Sequence, residues 1–357
     1  MKLKLLKIVF LLALIAGTCF YCAYMRSAFQ IITGETMNTY YRITMRTSQE
    51  DTMLRNEIRE ALQQINNEMS VFENVSDLSQ FNKNTDLGWI DVPEDLAVVL
   101  KEAYQIYQQT NGYFDPTVGR LVDLWGFGTH KIQRIPSQDE IKESQNTVGF
   151  NKISFSRDFR KAKKPNSDIY LNLSSIAKGY AVDKIAALLD KKGYTDYIVE
   201  IGGEVKAKGS RAKKSKGWNL GIARPEEGKV TDFEYVVRLK DMAVATSGDY
   251  RNNFYMENKR YSHTINPKTG LPVDHNLAAV TVFDKECMRA DGLATGIMVM
   301  GENKGLEFAN NNRIPAVMFV RNENEDGYQT LVSNEAKKLL KDDLQKASQN
   351  KEEQKEK

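Results

Sequence analysis

The chain has 357 residues with a net charge of +3 and 27% charged residues, a near balance that argues against nucleic acid or a strongly acidic partner. A hydrophobic share of 41% is ordinary for a globular protein with a sizeable core, and the length would allow two domains. Cys19 and Cys22 lie near the N-terminus and Cys287 is the only other cysteine, so the body of the chain has no internal disulfide and depends on its core.

Lys2, Lys4 and Lys7 precede an uncharged run over 8–25, which fits either a secretory signal or a membrane span. Either way the folded part lies outside the cytoplasmic membrane, on its periplasmic face, with the basic end left inside. A lipoprotein cleavage site ending at Cys19 or Cys22 is a further option, but Thr18 and Tyr21 are poor matches to the small residue required there, which favours an uncleaved anchor. Residues 1–29 are thus read as signal or anchor, 30–340 as the folded domain and 341–357 as a charged, apolar-poor tail that frays.

The span 34–45 reads as a strand entered through a glycine turn, with Met37 either packing in the core or lying on a flat ring. Asp51 caps a helix whose apolar residues Leu54, Ile58, Leu62, Ile65 and Met69 recur at helical spacing. A polar loop over 70–82 follows, in which Phe72 is a packing plug or a stacking platform. Pro93 and Glu94 open a second helix bearing Leu96, Leu100, Ala103 and Tyr107, closed by Asn111 and Gly112. Residues 113–128 are non-periodic and rich in aromatic residues, glycine and carboxylates, the composition of a pocket lining or of a buried irregular connection. Within 129–167 a polar helix and a basic hairpin are expected, with 161–164 a solvated turn.

Alternation over 168–173 predicts a short strand. Ser174 and Ser175 then stand where an N-cap belongs, before Ile176, Tyr180, Ile185, Leu188 and Leu189. Such a helix start, with Lys178 and Gly179 beside it, suits an anionic group such as a phosphate, and equally suits a capped structural helix. Strands follow at 197–201 and 204–208 across a Gly-Gly turn, then at 218–223, 234–239 and 242–246, so this half is rich in antiparallel sheet. Tyr261 to Gly270 is a strand running into a Pro/Gly turn, and His263 at its mouth is the leading candidate for a general base. After a strand at 276–283, residues 287–295 lead into an apolar helix at 296–300. Asp291 and Thr295, four apart, put their oxygens on one helical face, where a hard cation such as Mg2+ fits better than zinc. A strand at 316–320 and a helix at 336–340 complete the chain. The pattern is that of an α+β fold with mixed and antiparallel sheets flanked by helices.

Eight ordered blocks, 34–40, 69–82, 112–128, 172–183, 199–209, 245–250, 261–270 and 291–295, resemble the ApbE family, the FAD:protein FMN transferases. The resemblance covers nearly all of the chain after the leader. It implies an ApbE-like fold with the flavin nucleotide in a cleft between subregions. The implied reaction uses FAD and Mg2+, places the FMN moiety on a threonine or serine hydroxyl of an exported acceptor protein, and releases AMP. It also implies flavin-nucleotide contacts at Met37, Phe72, Tyr113, Phe114, Asp115, Asn172, Lys178 and Ile265. Magnesium ligands are implied at Ser175, Asp291, Ala294 (through its carbonyl) and Thr295, and His263 as base, with Asp291 in that role if the metal leaves it an oxygen. The chain departs from the family in Asn38 where glycine is usual, Asn172 where aspartate is frequent and Phe72 where many members have tyrosine. Some relatives hydrolyse FAD to FMN and AMP, so hydrolysis is the alternative activity, and a non-catalytic FAD-binding envelope protein is the alternative outside enzymology.

Overall fold

Strands with apolar residues at nearly every position become the centre of a sheet covered on both faces, and the strand Leu277–Asp284 is buried at every position but its last. The computed structural model describes residues 29–47, 51–128, 134–212, 215–225, 233–249, 253–257, 259–322 and 327–341; the uncharged run of the leader lies outside them, as does the tail beyond Lys341. Among the described residues no helix is long and apolar enough to cross a membrane.

The strands are β1 (Phe29–Thr36), β2 (Thr39–Arg46), the short β3 (Ile90–Asp91), β4 (Ser154–Phe155) and β5 (Lys161–Lys163), then β6 (Tyr197–Ile201) and β7 (Glu204–Lys208). β8 (Trp218–Ala223), β9 (Phe233–Leu239), β10 (Met242–Gly248), β11 (Asn253–Met256), β12 (Lys259–Ser262), β13 (Leu277–Asp284), β14 (Ala316–Arg321) and β15 (Tyr328–Val332) follow. Eight of them form one sheet in the order β1-β2-β6-β7-β10-β13-β14-β15, antiparallel throughout, and β8–β9 and β11–β12 are separate hairpins. The helices are α1 (Thr52–Met69), α2 (Asp77–Lys83), α3 (Glu94–Gln109), α4 (Gly119–Leu124), α5 (Gln138–Gln145), α6 (Ala177–Lys191), α7 (Cys287–Met300), α8 (Glu302–Asn311) and α9 (Asn334–Leu339).

Alternation along the central strands divides the core. Leu277, Val280 and Val282 of β13 and Ala316 and Met318 of β14 face the larger cluster, which also takes α1, α3, α6 and α7. Phe283, Val317 and Phe319 face the smaller one with Trp218, Val237 and Leu239 of the β8–β9 hairpin. Each fully buried Val, Leu or Phe contributes roughly 1.5–3 kcal/mol, so both faces stabilise the sheet. A third cluster joins Leu121, Trp125, Ile141, Phe254 and Ile265.

Four local expectations are corrected. The span 34–45 is two strands, turned not by a glycine but by Met37 and Asn38, whose φ values of 50° and 55° are those of a two-residue hairpin turn. The loop after α1 gives way at Ser76, which accepts the Ser79 N–H and so caps α2. The strand expected at 168–173 is reduced to a single bridge between Tyr170 and Val118. Lys164 is fully buried, donating to the carbonyls of Asn82 (3.1 Å) and Ser167 (3.3 Å), so 161–164 is no solvated turn.

Candidate active site

α6 and α7 meet at their first turns, and neither Ile176 nor Glu286, their N-cap residues, supplies a side-chain cap. Each helix is capped by a carboxylate of the other. Asp291 Oδ2 accepts the Gly179 N–H at 3.0 Å, while Asp183 accepts Cys287 N–H on Oδ1 at 3.0 Å and Met288 N–H on Oδ2 at 2.8 Å. Glycine is required for this approach: a Cβ at residue 179 would stand 2.5 Å from the Cys287 carbonyl oxygen and 2.7 Å from Met288 Cα. Ser174 and Ser175 are therefore not the cap the sequence suggests; they form a turn just ahead of α6.

Along β7, residues 204, 206 and 208 point at α6 with the period of a strand, and each carries a charge. Glu204 Oε1 accepts Lys178 Nζ at 2.6 Å, Lys206 Nζ reaches Asp183 Oδ1 at 2.7 Å, and Lys208 Nζ reaches Asp190 Oδ1 at 2.8 Å. At the buried end, Glu204 and Asp291 are each 3% exposed and share one ammonium. Burial pushes Glu204 up to about 7, opposed by Lys178 and reinforced by Asp291. Asp291 is raised for the same reason, with Lys178 and the Gly179 N–H opposing. Burial disfavours the Lys178 charge, but Asp291 and Glu204 together outweigh it and hold the ammonium above its ordinary value. Asp183 is likewise raised by burial, to about 6, with Lys206 pulling it down.

A hydroxyl pair adjoins this charge group: Thr295, one turn beyond Asp291, lies with its Oγ1 3.1 Å from Ser247 Oγ at the end of β10. Ser175 is half-buried, and its neighbour Ile176 reaches α7, where a Cβ on Gly292 would be 3.4 Å from Ile176 Cδ1 and 3.6 Å from Phe114 Cε2. Ala294 is fully buried inside α7, one residue before Thr295, and a helical carbonyl keeps a second lone pair beyond the one that accepts the amide four residues on.

The structure joins segments remote in sequence. Pro116 O accepts Asn172 N–H at 2.7 Å, and Asn82 exchanges two hydrogen bonds with Leu171, each of 2.8 Å. Tyr40 O accepts Gly202 N–H at 3.0 Å, and Gly270 O accepts Trp125 Nε1–H at 2.9 Å. Tyr113 lies under two lysines, with Lys268 Nζ 4.7 Å and Lys304 Nζ 4.9 Å from its ring centre, and Lys304 also donates to its hydroxyl at 2.7 Å. Asn172 Oδ1 accepts the Ser174 N–H within its own turn. Met37 is half-buried against the main core and Phe72 is exposed on its loop. Phe114, Asp115 and Ile265 are buried, and the Asp115 carboxylate accepts from Thr117 and from Phe150 N–H. His263 is half-buried, its ring edge-on to Phe127 at 6.3 Å between centres. His275 stands at the other end of α7, with Nε2 2.9 Å from the Met298 carbonyl oxygen.

Glu204, Asp183 and Ser247 were given no role from the sequence. The legible signal was the charge alternation of Glu204, Lys206 and Lys208 between the apolar Val205 and Ala207. No group of three or more His, Cys, Asp or Glu side chains that would hold a metal occurs among the described residues. The donors present are oxygens: Asp291 Oδ1, which accepts no hydrogen bond from the described residues, and the Ser247 and Thr295 hydroxyls. When both are ionised, two carboxylates beside one ammonium carry a surplus negative charge, so a hard cation that keeps waters and substrate phosphates among its ligands fits this group.

The architecture is thus an α+β protein with an oxygen-rich centre of two carboxylates and one ammonium between two helix N-termini. The ApbE family model matches residues 37–318, and the chain belongs to that family. It is 39% identical over 318 residues to the FAD:protein FMN transferase of Haemophilus influenzae, covering 86% of this chain and 90% of the relative. It is similar to the solved flavin transferase ApbE from Vibrio cholerae, with a TM-score of 0.79 and 36% identity over 88% of this chain and 99% of that one. The apo form of Pseudomonas stutzeri flavinyl transferase ApbE gives a TM-score of 0.80 at 34% identity, covering 87% and 96% of the two chains.

Proposed function

We propose that this protein is an FAD:protein FMN transferase that moves the FMN moiety of FAD, with Mg2+, to a threonine or serine hydroxyl of an exported acceptor protein and releases AMP. The work would be done on the periplasmic face, with the N-terminal segment holding the protein to the membrane. The observation that carries the reading is the junction at Gly179 and Asp291, where a buried carboxylate with one open oxygen sits at a helix N-terminus beside Lys178.

In this reading the FAD diphosphate lies against the start of α6, drawn by the positive end of the helix dipole and by Lys178. Tyr113, Asn172, Met37 and Phe72 keep exposed surface and contact the nucleotide, while the buried Phe114, Asp115 and Ile265 support the wall behind them. Asp291, Thr295, Ser175 and the Ala294 carbonyl hold the cation. Bound Mg2+ would offset charge on the diphosphate and on the departing phosphate. His263 takes the proton of the acceptor hydroxyl, whose oxygen forms the new bond to the FMN phosphorus as the diphosphate bridge breaks and AMP leaves.

The test is intact-mass spectrometry of an exported flavoprotein domain incubated with this protein, FAD and Mg2+, each omitted in turn. The expected outcome is an FMN adduct on a threonine or serine that needs all three components. Free FMN and AMP with an unmodified acceptor would replace transfer by hydrolysis, and FAD surviving intact would leave only a binding protein.

A further inference from the structure

Glu204 has no part in the reading above, yet its setting is unusual. It is 3% exposed, its Oε1 accepts Lys178 Nζ at 2.6 Å, and its buried Oε2 accepts no hydrogen bond among the described residues. A buried ion pair is seldom worth more to stability than an apolar pair of the same size, so a charge kept here needs another reason. The neighbourhood supplies one. Among the described residues Lys178 feels two carboxylates but forms an ion pair with Glu204 alone, whereas Asp291 takes the Gly179 N–H on Oδ2 and keeps Oδ1 open. Without Glu204 the nearest anion for the Lys178 ammonium is Asp291, and an ion pair there would occupy the open oxygen.

We propose that Glu204 is a positioning residue that holds the Lys178 ammonium away from Asp291, leaving Asp291 Oδ1 free to take a divalent cation. The inference rests on the assignment of Asp291 as a cation ligand. Three features of the fold keep Glu204 in place. It is paired with Ile201 in the β6–β7 hairpin; its strand is tied to α6 twice more, through Lys206 and Lys208; and Asp183 and Asp291 lock α6 to α7.

The experiment is calorimetric titration of Mg2+ alone into the full protein without FAD, for wild type, Glu204→Gln, Glu204→Asp and the double variant Glu204→Gln/Lys178→Met. Glu204→Gln removes the charge and should weaken Mg2+ binding by about tenfold or more, the size usual for loss of an outer partner of a metal ligand. Glu204→Asp keeps the charge but is one methylene short of Lys178, and should weaken binding in the same direction. The double variant has no ammonium to displace and should return to within about threefold of wild type. Wild-type affinity in Glu204→Asp would mean that charge alone matters and overturn the proposal. A double variant as weak as Glu204→Gln would also overturn it, making Glu204 itself a ligand. Absence of Mg2+ binding by wild type would overturn the parent assignment and this inference together, whereas wild-type binding that Glu204→Gln and Glu204→Asp leave unchanged overturns this inference alone.

Discussion

Asp115 sets burial against hydrogen bonding within a single side chain. Its Oδ1 accepts the Thr117 N–H at 2.8 Å and the Thr117 hydroxyl at 2.5 Å, and Oδ2 accepts the Phe150 N–H at 3.3 Å. Thr117 Oγ1 in turn accepts the Gly149 N–H at 2.7 Å, so one carboxyl clips 115–118 to 149–150. All three bonds favour the anion, but burial outweighs them and pushes the carboxyl from an ordinary 3.8 up to about 6. The folded protein therefore holds this proton more tightly than the unfolded chain does. That contribution to stability is complete below the ordinary carboxylate value and is lost as pH rises through about 6. Asp115→Asn cannot titrate. Urea denaturation from pH 4 to 7 should show the wild type losing stability relative to the variant by on the order of 2 kcal/mol. A relative stability that rises over the same range would show that the hydrogen bonds win and Asp115 is buried as an anion.

Between elements, the contacts of α6 differ in burial and should differ in worth along its length. Near its start Asp183 satisfies two N–H groups of α7 and an ammonium, and its side chain is 12% exposed. Near its end the Lys208–Asp190 pair has side chains 41% and 45% exposed, where solvent screens the charges. Asp183→Ala strips α7 of the carboxylate that caps its first turn, and should cost about 1–3 kcal/mol. Lys208→Ala should cost less than about 1 kcal/mol. Denaturation midpoints of the two variants test this gradient. Equal losses would mean that the caps between α6 and α7 add no more than a surface pair, and that packing around Gly179 alone holds the helices together.

Much of the architecture could be read before folding, because α1, α3 and the β6–β7 hairpin are written in local spacing, with a local cap at Asp51 on α1. What could not be read depends on distant partners. Ser174 and Ser175 look like a cap, but Asp291, 112 residues from Gly179, performs that task. Glu204 looks like a solvent-facing strand residue until α6 is laid over β7. Met37 and Asn38 turn a hairpin without the glycine that signals one. The same dependence makes ligand binding a property of the entire fold: Lys178 on α6, Asp291 and Thr295 on α7, Glu204 on β7 and Ser247 on β10 reach one place only when the sheet and helices are assembled. A ligand held there binds the folded state alone, and at a hundred times its dissociation constant stabilises it by about 2.7 kcal/mol. FAD with Mg2+ should therefore raise the melting temperature by roughly 4–8 °C, and by more than the two separate shifts added, since diphosphate and cation share contacts. In Asp291→Asn the shift from FAD alone should persist while the increment due to Mg2+ disappears. If that increment survives the substitution, the cation sits elsewhere and the junction of α6 and α7 is not where it meets the nucleotide.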